Sequence, residues 1–558
     1  MNSRFFYFTL PGIIAIAFIL YLGAASYGLP QAFFGDELVS VAAGFSLLAQ
    51  KTLRANFDFY YLPPLLSYLL APAYVLIGVV GIVLGFFESI GDYQNFVLLN
   101  RELFLIVGRI ISALFGIGGV YLLFAFARRV FSPSVALLSA IFLAFDFLYL
   151  HEAQVGRFWA PATFFIIAAI YSFQRLMETR ERKWYFLSAL AIGLGYGVGY
   201  IPLILVFWLA ALQWHINRKG LIQKKFIYSS AALLAIVAFF SWANPVAFFR
   251  QFGRSLATLA DLFGYKLSLA AEGLSSASSF FYNIPRSFLF LWYDNPALLA
   301  VGVIGLVFLC FREGNKFWKF LLIGFPLLYL LIVAITFSEL ENRYLLPIVP
   351  FLSIGAAAVV VALWESALSK ILKRAICAII LFLLLGYELF AGINYFFLLR
   401  KNDTRNDAVE WIYRNAPDGS VIILDLPNTV MNNNRAGILY QQEKNPFWIN
   451  TRDSYLLTLP DDRFPKPNYF VLDQAHLPDK AIDFSRFTSG YYLFSFWSRE
   501  DRSRALAMPF KKELAASFYP AETIFTIHNL LQDPSSPFSL LGNIRQLGPY
   551  IEVYKFGK

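Results

Sequence analysis

The chain is poor in charge, cysteine and histidine. Of its 558 residues only 15% are charged, two are Cys and four are His, whereas 60 are Phe. Soluble domains carry about 25% charged residues, so a water-soluble protein is excluded for the chain as a whole. Cys310 and Cys377 both lie in apolar runs, so no disulfide framework is available and cysteine usage leaves the redox compartment open. No basic residues cluster as a nucleic-acid-binding face requires. No repeat relates the two halves of the apolar part, and no polar segment within it is long enough to fold as a nucleotide-sugar domain. The first polar loop holds no Asp-x-Asp pair, and no metal or other cofactor is expected.

Long apolar runs are present instead, recurring from Pro11 to Leu399. Many are long enough to cross a hydrocarbon core of roughly 30 Å. Residues 400–558 differ: they hold 19 Lys+Arg and 18 Asp+Glu and no run of spanning length. The chain therefore divides into a membrane part, 1–399, and a soluble domain, 400–558, of ordinary domain size. The net charge of +10 sits almost wholly in the membrane part, which has 27 of the 46 basic and 18 of the 36 acidic residues.

Basic excess of this kind marks cytoplasmic loops. The clusters are Arg128-Arg129, Arg175 to Lys183, Arg218 to Lys225, Arg312 to Lys319 and Lys370 to Arg374. Placing them inside predicts about eleven spans, beginning with Phe8–Leu29 and followed by Phe104–Ala127, Val135–Leu150, Trp159–Phe173, Tyr185–Gly199, Pro202–Trp214, Phe226–Trp242, Phe288–Phe311, Phe320–Phe337, Tyr344–Trp364 and Ala375–Leu398. The first is read as a span because the apolar stretch after Arg4 continues to Pro30 without a cleavage site. Counting Leu65–Phe87 as a span would move three basic clusters outside, so it is read as an interfacial or re-entrant segment. The N-terminus is then cytoplasmic. Outside lie the C-terminal domain and the loops Pro30–Pro64, His151–Arg157, Asn244–Ser287 and Ser338–Arg343.

Three of these loops carry candidate chemistry. Asp36-Glu37 opens a small-residue helical run, where a helix dipole favours negative charge; the plainer reading is that Asp36 only caps the helix. His151-Glu152 and Arg157 share a polar hairpin between two spans. Glu341, Arg343 and Tyr344 precede Pro347 and the next span. Ionisable residues at membrane depth are costly and usually functional, although Arg157 and Arg343 could merely snorkel to the interface. The run Gly193 to Gly199 follows no strand and is read as a close helix contact.

The arrangement resembles the GT-C class of integral membrane glycosyltransferases, specifically the protein-mannosyltransferase-like and aminoarabinose lipid A transferase-like group (glycosyltransferase family 39-like). The matching elements are Asp36-Glu37, Pro63-Pro64-Leu65, the run from Arg109 to Gly116 leading to Arg128-Arg129, and Arg343-Tyr344-Leu345-Leu346-Pro347-Ile348-Val349-Pro350. Residues Asp407–Ile412 and Gly419–Ile422 resemble the opening of such proteins' C-terminal domains. Two positions depart from the pattern. Leu62 stands where a Lys often precedes Pro-Pro-Leu, and Gly156-Arg157-Phe158-Trp159 lacks the acid of an Ala-Arg-x-Asp element. The resemblance implies a GT-C fold that moves a sugar from a polyprenyl-phosphate lipid to an envelope lipid, glycan or protein on the outer face of a prokaryotic plasma membrane.

That chemistry suits the residues. A phosphate leaving group needs cations, and Arg157 and Arg343 offer planar forks. An acceptor hydroxyl needs a base, assigned to Asp36, with Glu37 in an orienting role. An acceptor phosphate would need none. The C-terminal domain reads as α/β, with a helix at Asp407–Asn415 and strands at Val421–Leu424, Tyr469–Leu472 and Tyr550–Tyr554. A transporter or lipid flippase is the alternative, and a receptor with an outer sensing domain a third reading.

The topology yields a direct test. A cysteine placed in the Asp36 loop, at His151 or in the C-terminal domain should react with an impermeant thiol reagent from outside, and one between Arg175 and Lys183 should not. Labelling of the C-terminal domain only after permeabilisation would reverse the orientation.

Overall fold

The structure is a computed structural model that describes residues 3–55, 57, 60–217, 223–262, 277–312, 314–337, 340–445, 451–474, 477, 486–505, 512–524 and 541–557. Ser338-Glu339 of the third candidate loop, residues 263–276 of the loop after Asn244 and the basic residues Arg218-Lys219 lie outside the described residues.

Helices dominate residues 3–398. In chain order they are α1 Ser3–Tyr21, α2 Asp36–Ala49, α3 Leu65–Val83, α4 Ile90–Leu99, α5 Glu102–Val130, α6 Pro133–Phe145, α7 Phe147–Gln154, α8 Trp159–Thr179 and α9 Arg182–Val198. There follow α10 Leu205–Ile216, α11 Lys224–Ala243, α12 Pro245–Leu262, α13 Ala277–Asp294, α14 Pro296–Phe311, α15 Lys316–Thr336, α16 Val349–Glu365 and α17 Lys370–Leu398. A 3₁₀ segment, Asn342–Ile348, leads into α16. Among the described residues seven helices are long and apolar enough to cross a membrane, and two bent pairs raise the number to nine. Thr9–Ala24 and Ile201–Ile216 are apolar but shorter. The protein is a multi-pass membrane protein, as expected.

Each of the eleven expected spans corresponds to helix, but two are not single rods. Val135–Leu150 is broken at Asp146 by 60°, and Phe288–Phe311 is broken between Asp294 and Pro296 by 115°. Both breaks have local causes. Asp146 leaves helical geometry and its side chain caps α7 by accepting from Tyr149 N at 2.9 Å. Pro296 cannot continue α13 because it lacks an N–H, and Asn295 caps α14 instead. Leu65–Val83, read as interfacial, is an unbroken 19-residue helix that passes the same length and hydropathy test.

Basic clusters gather at one end of the bundle. Arg129 and Arg175 both pair with Glu178, at 2.9 and 2.6 Å, and Lys225 Nζ donates to the carbonyl of Arg180. Along α5, Arg109 and Arg128 are nineteen residues apart, roughly 28 Å at 1.5 Å per residue. The end of the bundle near Arg109 therefore faces away from these clusters across about one hydrocarbon thickness.

Small residues set the tightest contacts, as packing in lipid requires. A Cβ on Gly193 would meet Ile236 at 2.8 Å and one on Gly195 would meet Pro202 at 2.6 Å, so the glycine-rich run serves helix packing. Between α14 and α16, a Cβ on Gly305 would collide with the backbone of Gly355, and one on Gly302 would lie 2.8 Å from the Leu352 carbonyl.

The C-terminal domain is α/β, as expected. Helix α18 (Thr404–Asn415) precedes β1 (Val421–Asp425), α19 (Arg435–Lys444), α20 (Thr451–Thr458), β2 (Phe470–Asp473), β3 (Ser489–Phe496), α21 (Arg499–Ala505), β4 (Lys512–Phe518) and β5 (Tyr550–Gly557). The sheet order is β2-β1-β3-β5-β4. β1 is parallel to β2 and β3, and β5 is antiparallel to β3 and β4. Both faces of β1 are covered: Ile422 and Leu424 pack with Val409 and Ile412 of α18, while Ile423 joins Leu472 and Tyr492 on the other side. The alternation of a strand accounts for this split.

Overpacking the α14–α16 contact gives a stability test. Gly305→Ala should destabilise the protein by about 1–3 kcal/mol because the obstacle is backbone and cannot rotate away. The check is thermal unfolding in detergent; an unchanged midpoint would refute this packing.

Candidate active site

The sequence sets Asp36 and Glu37 side by side in the first turn of α2, and the fold gives them opposite surroundings. Successive residues of a helix point about 100° apart. Glu37 turns into the bundle and is 1% exposed, whereas Asp36 keeps 30% of its side chain open.

Glu37 is held on both oxygens. Arg109 Nε donates to Oε1 at 3.0 Å and Nη2 to Oε2 at 2.8 Å, and the backbone N–H of Gly156 reaches Oε1 at 2.8 Å. The remaining arm of Arg109 donates to the carbonyls of Ala24 at 2.7 Å, Tyr27 at 2.8 Å and Ala25 at 3.3 Å. The Arg109–Glu37 pair thus joins α5, the chain leaving α1, the start of α2 and, through Glu37, the turn before α8. Burying such a pair is tolerable only because nearly every donor is used. The close approach also needs small residues, since a Cβ on Gly156 would sit 3.2 Å from the Gly108 backbone.

Asp36 does not cap α2. The N-cap is Gly35, without a side-chain cap. Asp36 Oδ1 accepts from Tyr61 Oη at 3.0 Å. Its Oδ2 faces Arg343 Nη2 at 3.2 Å and Arg157 Nε at 3.8 Å. Burial, and next the negative charge of Asp36, push the Tyr61 hydroxyl well above its ordinary pKa, so it stays a neutral donor. Arg157 and Arg343 are 7% and 12% exposed. They turn inward rather than snorkelling.

The other candidates close around this group. Glu341 Oε2 lies 2.6 Å from Arg343 Nε, an ion pair by distance without the angle of a hydrogen bond. Tyr344 Oη donates to Glu341 Oε1 at 3.3 Å, and its ring stacks on Phe337 at 4.1 Å. Glu152 is fully buried: its Oε1 is 3.3 Å from His151 Nδ1 and 3.8 Å from Arg157 Nη1. Among the described residues Arg157 Nε and Glu152 Oε2 have no hydrogen-bond partner. Arg157 is thus a buried cation flanked by two carboxylates without a direct bond to either. All eight residues singled out in the sequence fall into this one constellation.

Four more members emerge only with the fold. Arg109 carried a signal, an arginine inside an apolar run, but its partner was not legible. Tyr61, Phe34 and Tyr395 carried none. The Phe34 ring lies under both Arg109 and Arg157, at 5.7 and 5.8 Å, and is nearly perpendicular to the His151 ring at 5.5 Å. Tyr395 of α17 approaches the other side of His151 at 5.5 Å. Among the described residues no group of three or more His, Cys, Asp or Glu is placed to hold a metal ion.

Known proteins share parts of this sequence and fold. The family model for dolichyl-phosphate-mannose-protein mannosyltransferase matches residues 101–243. The family likeness read from the sequence is borne out over that stretch. It contains Arg109, His151, Glu152 and Arg157. Comparison with curated proteins finds no match. Among solved structures, the chain is similar to ArnT from Cupriavidus metallidurans bound to undecaprenyl phosphate, at 13% identity and a TM-score of 0.48, over 90% of this chain and 95% of that one. It is also similar to the Archaeoglobus fulgidus oligosaccharyltransferase tethered with an acceptor peptide, at 12% identity and a TM-score of 0.44, over 88% and 70%. The S. cerevisiae protein O-mannosyltransferase Pmt1-Pmt2 complex bound to the sugar donor aligns at 22% identity and a TM-score of 0.32, over 45% of this chain and 34% of that one.

The Glu37–Arg109 pair predicts a sharp stability difference between neighbours. Glu37→Gln leaves Arg109 buried without its counter-charge and should cost about 3–5 kcal/mol. Asp36→Asn, at a half-open position, should shift the melting midpoint far less. Equal midpoints for the two variants in detergent would contradict the assignment.

Proposed function

We propose that the protein is a membrane glycosyltransferase that moves a hexosyl or pentosyl unit from a polyprenyl-phosphate lipid to an acceptor in the cell envelope, on the outer face of a prokaryotic plasma membrane. One observation carries this reading: Asp36, the open member of the acidic pair, faces two inward-turned arginines at the end of the bundle remote from the basic clusters. The family match over residues 101–243 supports the same class.

The chemistry is built on the contacts. Asp36 takes the proton of an acceptor hydroxyl as its oxygen bonds to the anomeric carbon. The bond from that carbon to the phosphate oxygen breaks, and the phosphate departs as an anion. Arg157 and Arg343 supply the charge that stabilises it; a guanidinium fork suits phosphate, and Arg157 Nε is buried with no hydrogen-bond partner among the described residues. Glu37 and Glu152 are closed to the surface, so neither competes for the acceptor. Glu37 acts instead by fixing the start of α2, and Tyr61 fixes the Asp36 carboxylate. No step in this scheme calls on a metal or another cofactor.

One observation favours a second reading, a transporter or flippase. Buried Asp146 and Asp294 lie at the two helix breaks, and Glu388 of α17 accepts from the N–H of Phe147. Broken helices with buried charge are transporter features.

The test is chemical. Asp36→Asn should lower transfer by roughly 10²–10⁴-fold, the usual contribution of a general base, with expression near wild type. Arg157→Ala and Arg343→Ala should each cost about tenfold to a hundredfold, the loss of one charge-assisted hydrogen bond, and Lys at either position should recover only part. Mass spectrometry of a deletion strain should show a lipid-linked sugar accumulating and one envelope glycan missing. Wild-type turnover in Asp36→Asn would remove the base, and loss of a solute uptake without any glycan change would favour the transporter.

A further inference from the structure

The chain between α1 and α2 delivers Asp36, and the C-terminal domain grips it at five points. Tyr27 Oη donates to Asp403 Oδ2 at 2.5 Å. Asn406 Nδ2 donates to the Leu29 carbonyl and Asn428 Nδ2 to the Phe33 carbonyl, each at 3.3 Å. The amide of Gln31 pairs with the backbone of a single residue: its Nε2 donates to the Val430 carbonyl at 2.8 Å, and its Oε1 accepts from the Val430 N–H at 2.7 Å. The Arg405 guanidinium lies 3.6 Å over the Phe33 ring and forks onto Asp403 at 2.8 and 2.9 Å.

This contact is sealed and continues into the site. Tyr27, Gln31, Phe33, Asp403 and Arg405 are all more than nine-tenths buried. Tyr27 is bonded at both ends, by its hydroxyl to Asp403 and by its carbonyl to Arg109, which holds Glu37. Neighbouring rings face opposite ways: Phe33 meets Arg405 of the C-terminal domain, while Phe34 lies against His151, Arg109 and Arg157. Gly35 completes the fit, since a Cβ there would lie 3.3 Å from Asn428 Oδ1.

We infer that the C-terminal domain is a structural part of the catalytic site, and that Gln31 and Arg405 are positioning residues that fix Asp36 through the 27–35 segment. Gln31 is well suited to this, because two bonds to the N–H and C=O of one residue, Val430, fix both the distance and the twist of the chain. Neither residue reaches the reacting atoms. The inference rests on the reading of Asp36 as the base, yet the order it predicts in the 27–40 segment can be measured without any sugar donor.

The experiment uses the full chain in detergent, with Gln31→Ala, Gln31→Glu, Arg405→Lys and Asp36→Asn beside the wild type. Hydrogen exchange of the peptide covering residues 27–40 is read by mass spectrometry, and transfer is measured with polyprenyl-phosphate mannose as the probe. Gln31→Ala should raise exchange in that peptide at least tenfold and leave α5 and α8 unchanged. It should lower kcat about tenfold with the KM for the donor unmoved. Gln31→Glu, which keeps the bond from the Val430 N–H, should lie between the alanine variant and the wild type. Arg405→Lys, which keeps the charge and loses the fork, should do the same. Adding Gln31→Ala to Asp36→Asn should lower kcat little further, because both act through one carboxylate. Unchanged exchange in Gln31→Ala overturns the clamp. Raised exchange with an undiminished rate, in a background where Asp36→Asn is inactive, overturns the positioning role alone. A fully active Asp36→Asn enzyme overturns the catalytic reading instead and leaves the exchange result to judge the clamp.

Discussion

The bidentate pair between Glu37 and Arg109 is the contact on which the site depends. Arg109 sits in the first third of α5, inside an apolar helix, where an unpaired guanidinium would be prohibitively costly. Its Nε, Nη1 and Nη2 donate to one carboxylate and to backbone carbonyls where the chain departs from α1. The Ala24 carbonyl also accepts from the Tyr27 N–H, and those of Ala25 and Tyr27 lie where the chain turns out of the helix and a side-chain donor replaces the lost helical bond. The pair thus meets three needs together: it neutralises a buried charge, closes the end of α1 and sets where α2 begins. Breaking it would expose all three costs.

With that anchor in place, adjacency in sequence becomes difference in role. Glu37 is consumed by structure, and Asp36, one residue earlier, is rotated out toward Tyr61, Arg157 and Arg343. The surrounding charge is nearly balanced, with Asp36, Glu152 and Glu341 opposing Arg157 and Arg343. Such a cluster surrounds two arginines with carboxylates in a poorly hydrated place while leaving the Nε of each without a hydrogen-bond partner among the described residues. A phosphate oxygen offers what Arg157 Nε lacks. The aromatic wall of Phe34, Tyr395 and Tyr344 restricts water around these charges, which strengthens their interactions.

The C-terminal domain is bound to the same segment that α1 and α5 hold from below. The 27–35 segment therefore lies between the two, with its Tyr27 carbonyl held by Arg109 and its Leu29 and Phe33 carbonyls held by Asn406 and Asn428. This arrangement ties the loop that delivers Asp36 to both parts of the chain. It also explains why a domain with its own sheet and its own core is joined to α17 by so short a connection: Asp403, five residues after α17 ends, already caps α18 and receives the Tyr27 hydroxyl.

The sequence alone determined the helical membrane part and the α/β character of the C-terminal domain, and it singled out residues that the fold brings together. Composition and apolar run length are one-dimensional properties, and so are the alternation of Val421–Leu424 and the acidic pair before a helical run. It did not determine the breaks at Asp146 and Asn295, because a polar residue inside an apolar run reads the same whether the helix bends or continues. Strands β3 and β4 went unread, since the edge position of β4 relaxes the burial pattern. Above all, the sequence could not show that Glu37 is buried while Asp36 stays partly open, name the partner of Arg109, or find Tyr61 and Tyr395. Those assignments depend on which side chains converge from α2, α5, α17 and the loops before α3, α8 and α16. Only the tertiary structure decided that, because contacts between segments tens to hundreds of residues apart leave no local periodicity to read.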